Sequence, residues 1–310
     1  MHTYRITHVT TYHYEAEVSV SHHLLHLQPR TLPRQRVRGF DVVVQPVPST
    51  RAPRIDAFGN HSEVVTIEGA HRHMEIVMGC LVEVDPAPAA EGVETPSWEE
   101  VARACSAEGW SDAVEAGEFR FDSPQVRRGP ACVAFARHAF PAGRRWLDGV
   151  RDLCRRIHGE FEFDPRATTV STPVEQVLSG RRGVCQDFAH VMLGCLRSLG
   201  LPARYVSGYI ETVPPPGQAR LVGADATHAW VSAYCPGLGW IDLDPTNGLL
   251  PSDRHVTVAW GRDFSDVSPV RGVLVGSGNH VLRVSVDVEP VAEEVGTGTD
   301  GGTAPETSEA

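Results

Sequence analysis

The sequence has no run approaching the roughly 20 consecutive apolar residues that a membrane-spanning helix needs. It opens Met-His-Thr-Tyr-Arg, without the basic-then-apolar layout of a secretory signal, so a cytoplasmic location is expected, with no membrane partner. Basic residues are in deficit. Lys and Arg total 28 against 39 Asp and Glu, a formal net charge of −11, which excludes the basic footprint of a general nucleic-acid binder. There is no CxxC pair, and the seven cysteines, an odd number, scatter from Cys80 to Cys235. A secreted disulfide framework would be even and dense, so reduced and mostly structural thiols are expected. No internal repeat is visible, and nothing in the sequence sets an oligomeric state. What remains is ordinary globular material: 310 residues, 41% hydrophobic and 22% charged, enough for two domains with buried cores.

The first 85 residues read as β. Tyr4, Ile6, His8, Thr10 and Tyr12 recur at period two, as do Val18, Val20, His22 and Leu24. Further runs lie at Val42–Val44, Val64–Ile67 and Met74–Val84, with a tight turn at Asp56-Ala-Phe-Gly-Asn60. Many short strands separated by turns predict an N-terminal β-sandwich over residues 1–85. Residues 86–123, which begin Pro-Ala-Pro-Ala-Ala-Glu-Gly, read as a linker. From residue 124 the period becomes helical: Val126–Phe140, Arg144–His158, Val174–Leu178 and Cys185–Leu199 are helix candidates. In the last of these Phe188, Met192, Cys195, Leu196 and Leu199 form a core-facing stripe. Gly200-Leu-Pro202 stops that helix, glycine at its C-terminal end and proline just beyond. Strands follow at Ala203–Ile210, Thr227–Tyr234 and Gly239–Asp244, then a closing hairpin from Val273 to Val288. The second domain should therefore span 124–290. Residues 291–310, Gly/Thr/Glu/Ala-rich, are expected to be a disordered tail.

Three residues stand out chemically. Cys185 opens the core helix, where unpaired backbone N–H groups and the helix dipole favour negative charge. A thiolate there is a nucleophile, and the same N–H groups can hold an oxyanion. A lone cysteine is more often a small buried hydrophobe, so the neighbours decide. His228, Trp230, Ser232 and Tyr234 share one strand face, and Trp240, Asp242 and Asp244 share another. A five-residue loop, Cys-Pro-Gly-Leu-Gly, joins the two runs. If Tyr234 pairs with Trp240, then Ser232 pairs with Asp242 and Trp230 with Asp244, and His228 lies diagonal to Asp244. Diagonal neighbours sit about 7–8 Å apart, within reach of longer side chains. A carboxylate beside an imidazole fixes its tautomer and supports its charge, as in other triads.

Gly183-Val-Cys-Gln-Asp-Phe-Ala189, Asp225-Ala-Thr-His-Ala-Trp-Val231 and Gly239-Trp-Ile-Asp-Leu-Asp-Pro-Thr-Asn247, in that order, resemble the three core motifs of the bacterial transglutaminase-like family. The β-rich start resembles the domain that precedes this core in the bacterial branch, so the likeness covers about residues 1–290. The resemblance implies an α+β fold: a papain-like core, one helix on an antiparallel sheet, after the β-sandwich. It implies Cys185 as nucleophile, His228 as general base and Asp244 as orienting carboxylate, with no cofactor or metal. Thr227 stands where serine is commoner, and Ser232 where an acidic residue often follows His-Ala-Trp. Attack on an amide or ester carbonyl of a peptide or protein gives a thioester. Water then makes a peptidase or amidase, the favoured outcome, and an amine acceptor makes a protein-glutamine transglutaminase. A third reading is an inactive binding protein on the same fold.

Weaker features compete. His22, His23, His26, His71 and His73 could ligate zinc, though structural sites usually mix in closely spaced cysteines. Cys185 with His190 and His228 could too, but the helix cap and the aspartate would have no role in such a site. Asn60-His-Ser62 matches a glycosylation sequon without meaning in a cytoplasmic chain. Trp230 and Trp240 read as core or pocket walls, and Asp187 as a solvated or locally hydrogen-bonded group.

Overall fold

The computed structural model describes residues 1–88, 92–106, 114–212, 227–276 and 278–291. The expected tail from 292 lies outside the described residues, as does Asp225 of the second motif. In chain order the elements are β1 (His2–Leu25), β2 (Gln35–Gln45), β3 (Thr50–Ile55), β4 (His61–Val84), α1 (Trp98–Ala104), α2 (Val114–Gly117), α3 (Pro130–Ala136), α4 (Trp146–Glu160), β5 (Glu162–Phe163), α5 (Val174–Gly180), β6 (Arg182–Gly183), α6 (Cys185–Ser198), β7 (Ala203–Ile210), β8 (Thr227–Cys235), β9 (Gly239–Leu243), β10 (His255–Gly261), α7 (Phe264–Val267), β11 (Val270–Val275) and β12 (His280–Val291).

In place of many short strands, the N-terminal region is built on two strands of 24 residues, β1 and β4. Their pairing shifts register between His13 and Val20, and bulges of this kind bend a strand. β2 pairs with the far half of β4 and β3 with its near half. Val42 of β2 stands opposite Met78 and Arg51 of β3 opposite Val65, thirteen residues apart and about 40 Å in a straight strand. Yet Arg51 Nη1 donates to the Val42 carbonyl at 2.9 Å. The hydrogen-bonded sheet therefore folds over itself, and its halves close a sandwich over Ile6, Val18, Ile67, Met74 and Ile76, all buried.

The expected C-terminal hairpin does not form. β11 and β12 both pair with β1, against residues 20–25 and 3–14 respectively, and so complete the N-terminal sheet. The apolar alternation of Val273–Val288 was readable, but a partner strand more than 250 residues away leaves no local signal. The segment read as linker carries α1 and α2. Ser97 caps α1, its side chain accepting from Glu100 N while Ser97 N donates to the Glu100 carboxylate at 2.9 Å. That Ser-x-x-Glu capping box was the available signal. The helix expected over 126–140 shrinks to α3, because Gly129-Pro130 starts it with proline in the first turn.

The second sheet has the order β10-β7-β8-β9 and is antiparallel throughout. α6 packs on β7 and β8, burying every residue from Asp187 to Arg197. Truncating Leu196, which is fully buried, would cost about 2–5 kcal/mol. β10 is an edge strand, and side-chain amides cover its free side. Gln35 accepts from Thr257 N and donates to Thr257 O, each at 2.7 Å. Asn60 accepts from Trp260 N at 2.9 Å and donates to Trp260 O at 2.8 Å. Two buried amides thus do what a neighbouring strand would do, and they tie the N-terminal region to the second sheet.

Candidate active site

The start of α6 is set by packing around Gly183. A Cβ there would lie 2.5 Å from Asp187 Oδ2, so only glycine lets the aspartate fold back over the chain. Asp187 Oδ2 then accepts from Val184 N at 2.8 Å and from Thr168 Oγ1 at 2.6 Å. Asp187 is buried, not solvated; burial raises its carboxyl against the two hydrogen bonds that favour its charge. It caps the helix and leaves Cys185 at the first helical position. Cys185 is half-buried, while the other six cysteines are buried and all seven are free. Burial pushes the thiols of Cys80 and Cys154 up to about 12 and those of Cys105 and Cys235 up to about 11.

The β8–β9 hairpin has the register read from the sequence, Tyr234 opposite Trp240 and Ser232 opposite Asp242. His228 Nε2 donates to Asp244 Oδ2 at 2.7 Å. The Cys185 sulfur acts on the same ring and, with Asp244, favours its charged form. The structure thus sets both Cys185 and Asp244 to act on the His228 ring. Burial alone would lower the imidazole, but the Asp244 carboxylate and the Cys185 sulfur outweigh it and lift His228 to about 10. Asp244 is held far below the usual carboxylate range. Burial opposes its charge, but hydrogen bonds and charge from His228 and His255 overcome that penalty.

Asp244 owes its position to the turn that follows. Gly248 N donates to its carbonyl at 2.8 Å, and Thr246 N and Asn247 N donate to Oδ1 at 2.9 and 3.2 Å. Asn247 Nδ2 adds a bond of 2.7 Å to Oδ2. This is an Asx turn turned to a second use: the residue that makes the turn also faces the imidazole.

Against known proteins, residues 4–83 match the bacterial transglutaminase-like N-terminal region and residues 137–245 match the transglutaminase-like superfamily. An uncharacterized protein of Mycobacterium tuberculosis is 39% identical over 296 residues, 93% of each chain. This chain belongs to the bacterial transglutaminase-like family. A candidate cysteine protease from Cytophaga hutchinsonii has the same fold, with a TM-score of 0.70 at 19% identity, covering 93% of this chain and 98% of that one. A protein-glutamine gamma-glutamyltransferase of Pseudomonas aeruginosa is 31% identical over 129 residues, 37% of this chain and 19% of that protein. The α+β class expected from the motifs is the fold of this transglutaminase-like chain, whose kin include cysteine enzymes acting on amide bonds.

The transglutaminase-like site has a member the sequence did not disclose. His255 Nε2 donates to the same Asp244 Oδ2 at 3.0 Å, so this oxygen accepts from two imidazoles and one amide. His255 follows Asp244 by eleven residues on another strand, and no spacing rule links them. The zinc readings do not assemble. His190 sits 5.2 Å from the Tyr205 ring and accepts from Phe264 N. Among the described residues the grouping of metal-ligand type is His228, Asp244 and His255, not either expected set. Its donors converge on one carboxylate oxygen, which is how an anion is solvated, rather than on a point between ligand lone pairs.

Proposed function

We propose that the chain is a cysteine enzyme that opens amide bonds of peptide or protein substrates through a thioester on Cys185 and resolves it with water. The observation that carries this is a half-buried thiol at a helix start acting on His228, whose ring is bound to a carboxylate with five hydrogen-bond donors. Cys185 Sγ attacks the carbonyl carbon and its backbone N–H faces the developing oxyanion. Imidazolium His228 gives its proton to the departing amine as the C–N bond breaks, leaving the thioester. Water then attacks while His228 takes its proton, and the carboxylate product leaves with the thiol restored. Asp244 keeps the imidazole oriented and supports its positive charge. The scheme requires neither metal nor cofactor.

Transfer to an amine is the second reading, favoured by the likeness to a gamma-glutamyltransferase. The chain contains no lysine, all 28 basic residues being arginine, so it offers no side-chain amine for cross-linking to itself. An amine-acceptor assay therefore has no such background. Intact-mass trapping across a library of peptides and amides tests the core claim: one acyl adduct, mapped to Cys185, is expected. Absence of any adduct with that library and an unreactive Cys185 would leave a binding protein on this fold. Adding a fluorescent primary amine separates the two resolving steps, since hydrolysis yields free acid and transfer yields labelled amide.

A further inference from the structure

A cavity of about 1090 Å³ lies between α4, the chain around Leu32–Gln35 and the sheet face that carries His228. Neither Cys185 nor His228 lines it, so it is separate from the reacting thiol. Its wall nevertheless includes His255, whose other ring nitrogen is one hydrogen bond from Asp244. The lining is unbalanced in charge. Arg34, Arg151, Arg155 and Arg204 face it with a single carboxylate, Asp242. Arg34 is engaged with the Asp85 carbonyl at 3.0 Å.

Three buried polar atoms on this wall have no hydrogen-bond partner: Arg151 Nε, Arg204 Nε and His255 Nδ1. His255 is only 6% exposed. Leaving one such group unpaired is costly, and three around a single cavity point to something that completes them. Arg204 is moreover stacked on Trp240 and Trp260, its guanidinium 4.2 and 3.7 Å from their ring centres. The two indoles hold the guanidinium plane rigid and also supply apolar wall, continued by Leu249 and Leu250. Burial lowers the Arg204 guanidinium to about 9, with Asp242 only partly offsetting it, so further negative charge is favourable there.

We propose that this cavity binds an amphipathic organic anion, its carboxylate or phosphate head on Arg151 and Arg204 and its apolar body along Trp240, Trp260 and Leu250. The volume suits a ligand of drug-like size, and an apolar lining with a few placed polar groups is the usual form of such sites. This proposal stands apart from the thioester chemistry and does not require it.

The test titrates the full chain with octanoate, octyl phosphate and octanol, reading tryptophan fluorescence and heat in parallel. Saturable binding of at least one anion is expected, with octanol at least about tenfold weaker. Arg151→Gln should weaken anion binding at least about tenfold, leaving octanol binding and the rate of Cys185 alkylation unchanged. Arg204→Gln, at the other head contact, gives the same comparison should the first variant fold poorly. Equal binding of octanol and octanoate, or no saturable signal in either readout, overturns the proposal. Anion binding indifferent to both arginine changes overturns it too. The relative affinity of the two anions identifies the preferred head.

Discussion

His228 on the β8–β9 hairpin and His23 on the N-terminal sheet are both buried, yet their imidazoles shift in opposite directions. His228 rises to about 10 because a carboxylate and a thiol sulfur face it. His23 falls to about 4, first by burial and then by the neighbouring His71 and His22. Neither of its ring nitrogens has a hydrogen-bond partner, and Nδ1 lies against the backbone of Gly272. One environment keeps a charge inside the protein and the other keeps it out. What differs is not depth but whether an anion has been prepared beside the ring. Preparing Asp244 takes five donors from a turn and two strands, which is why the charged histidine sits where chain segments converge.

Breaking the prepared site should have the largest effects. Cys185→Ala and His228→Ala should each remove nearly all turnover, at least about 10⁴-fold, because nucleophile and proton carrier act as a unit. Cys185→Ala should change stability by less than about 1–2 kcal/mol. Loss of folding in that variant, seen in its thermal transition, would argue for a structural cysteine instead.

The carboxylate comes next. The equivalent change in a serine triad costs about 10⁴ in rate. Asp244→Asn should cost less, about 10²–10³, because papain-like enzymes work with asparagine in this role. Asp242→Asn should be nearly silent in rate, since Asp242 pairs across from Ser232 rather than reaching His228. A larger loss from Asp242→Asn would reassign the orienting group. The pH profile sharpens this. His228 must carry a proton to release the amine, so kcat/KM should hold into alkaline solution and fall as pH approaches about 10. Asp244→Asn removes the charge that lifts His228, so its basic limb should move toward neutrality; an unmoved limb would mean another group sets it. The stability terms have opposite signs. The raised His228 contributes below its unfolded value of about 6.5 and loses that contribution as pH climbs through about 10. The depressed Asp244 contributes above its unfolded value of about 3.9 and loses it as pH falls below that.

Much of this site was legible because its parts obey local rules. The α6 stripe has helical period, the glycine–proline stop ends it, and a short loop between two alternating strands fixes which residues face each other, although pairing runs on to Cys235 and Gly239 and leaves three loop residues where five were expected. His255 escaped because it meets Asp244 only after the chain has turned and crossed the sheet. Gln35 and Asn60 escaped for a related reason. Asn60 was read as part of a sequon, but its use is to bond a distant edge strand, and an amide that does so carries no signature in its neighbours. That contact is testable. Asn60→Ala leaves the N–H and C=O of Trp260 without those partners in a buried position and should cost about 2–4 kcal/mol in chemical denaturation. A change within about 0.5 kcal/mol would mean the edge of β10 is solvated instead.

The smallest expected effect comes from His23. It is held neutral in the folded chain, so its folded value lies below its unfolded one of about 6.5. Between those values the unfolded chain binds the extra proton, and stability must fall as pH drops from about 6.5 toward about 4. Phenylalanine keeps an aromatic ring over Gly272 and beside Tyr12, whose ring centre lies 6.3 Å away, but cannot take a proton. His23→Phe should therefore flatten the fall in stability between pH 7 and 5 by about 1 kcal/mol, after discounting for the ring's partial contact with solvent. His8, also lowered to about 4 by burial, remains in the variant, so some acid sensitivity should persist. Measured by denaturant midpoints at the two pH values, an unchanged slope would show that the His23 pocket admits a proton after all. The contrast with His228 would then rest on the prepared carboxylate alone.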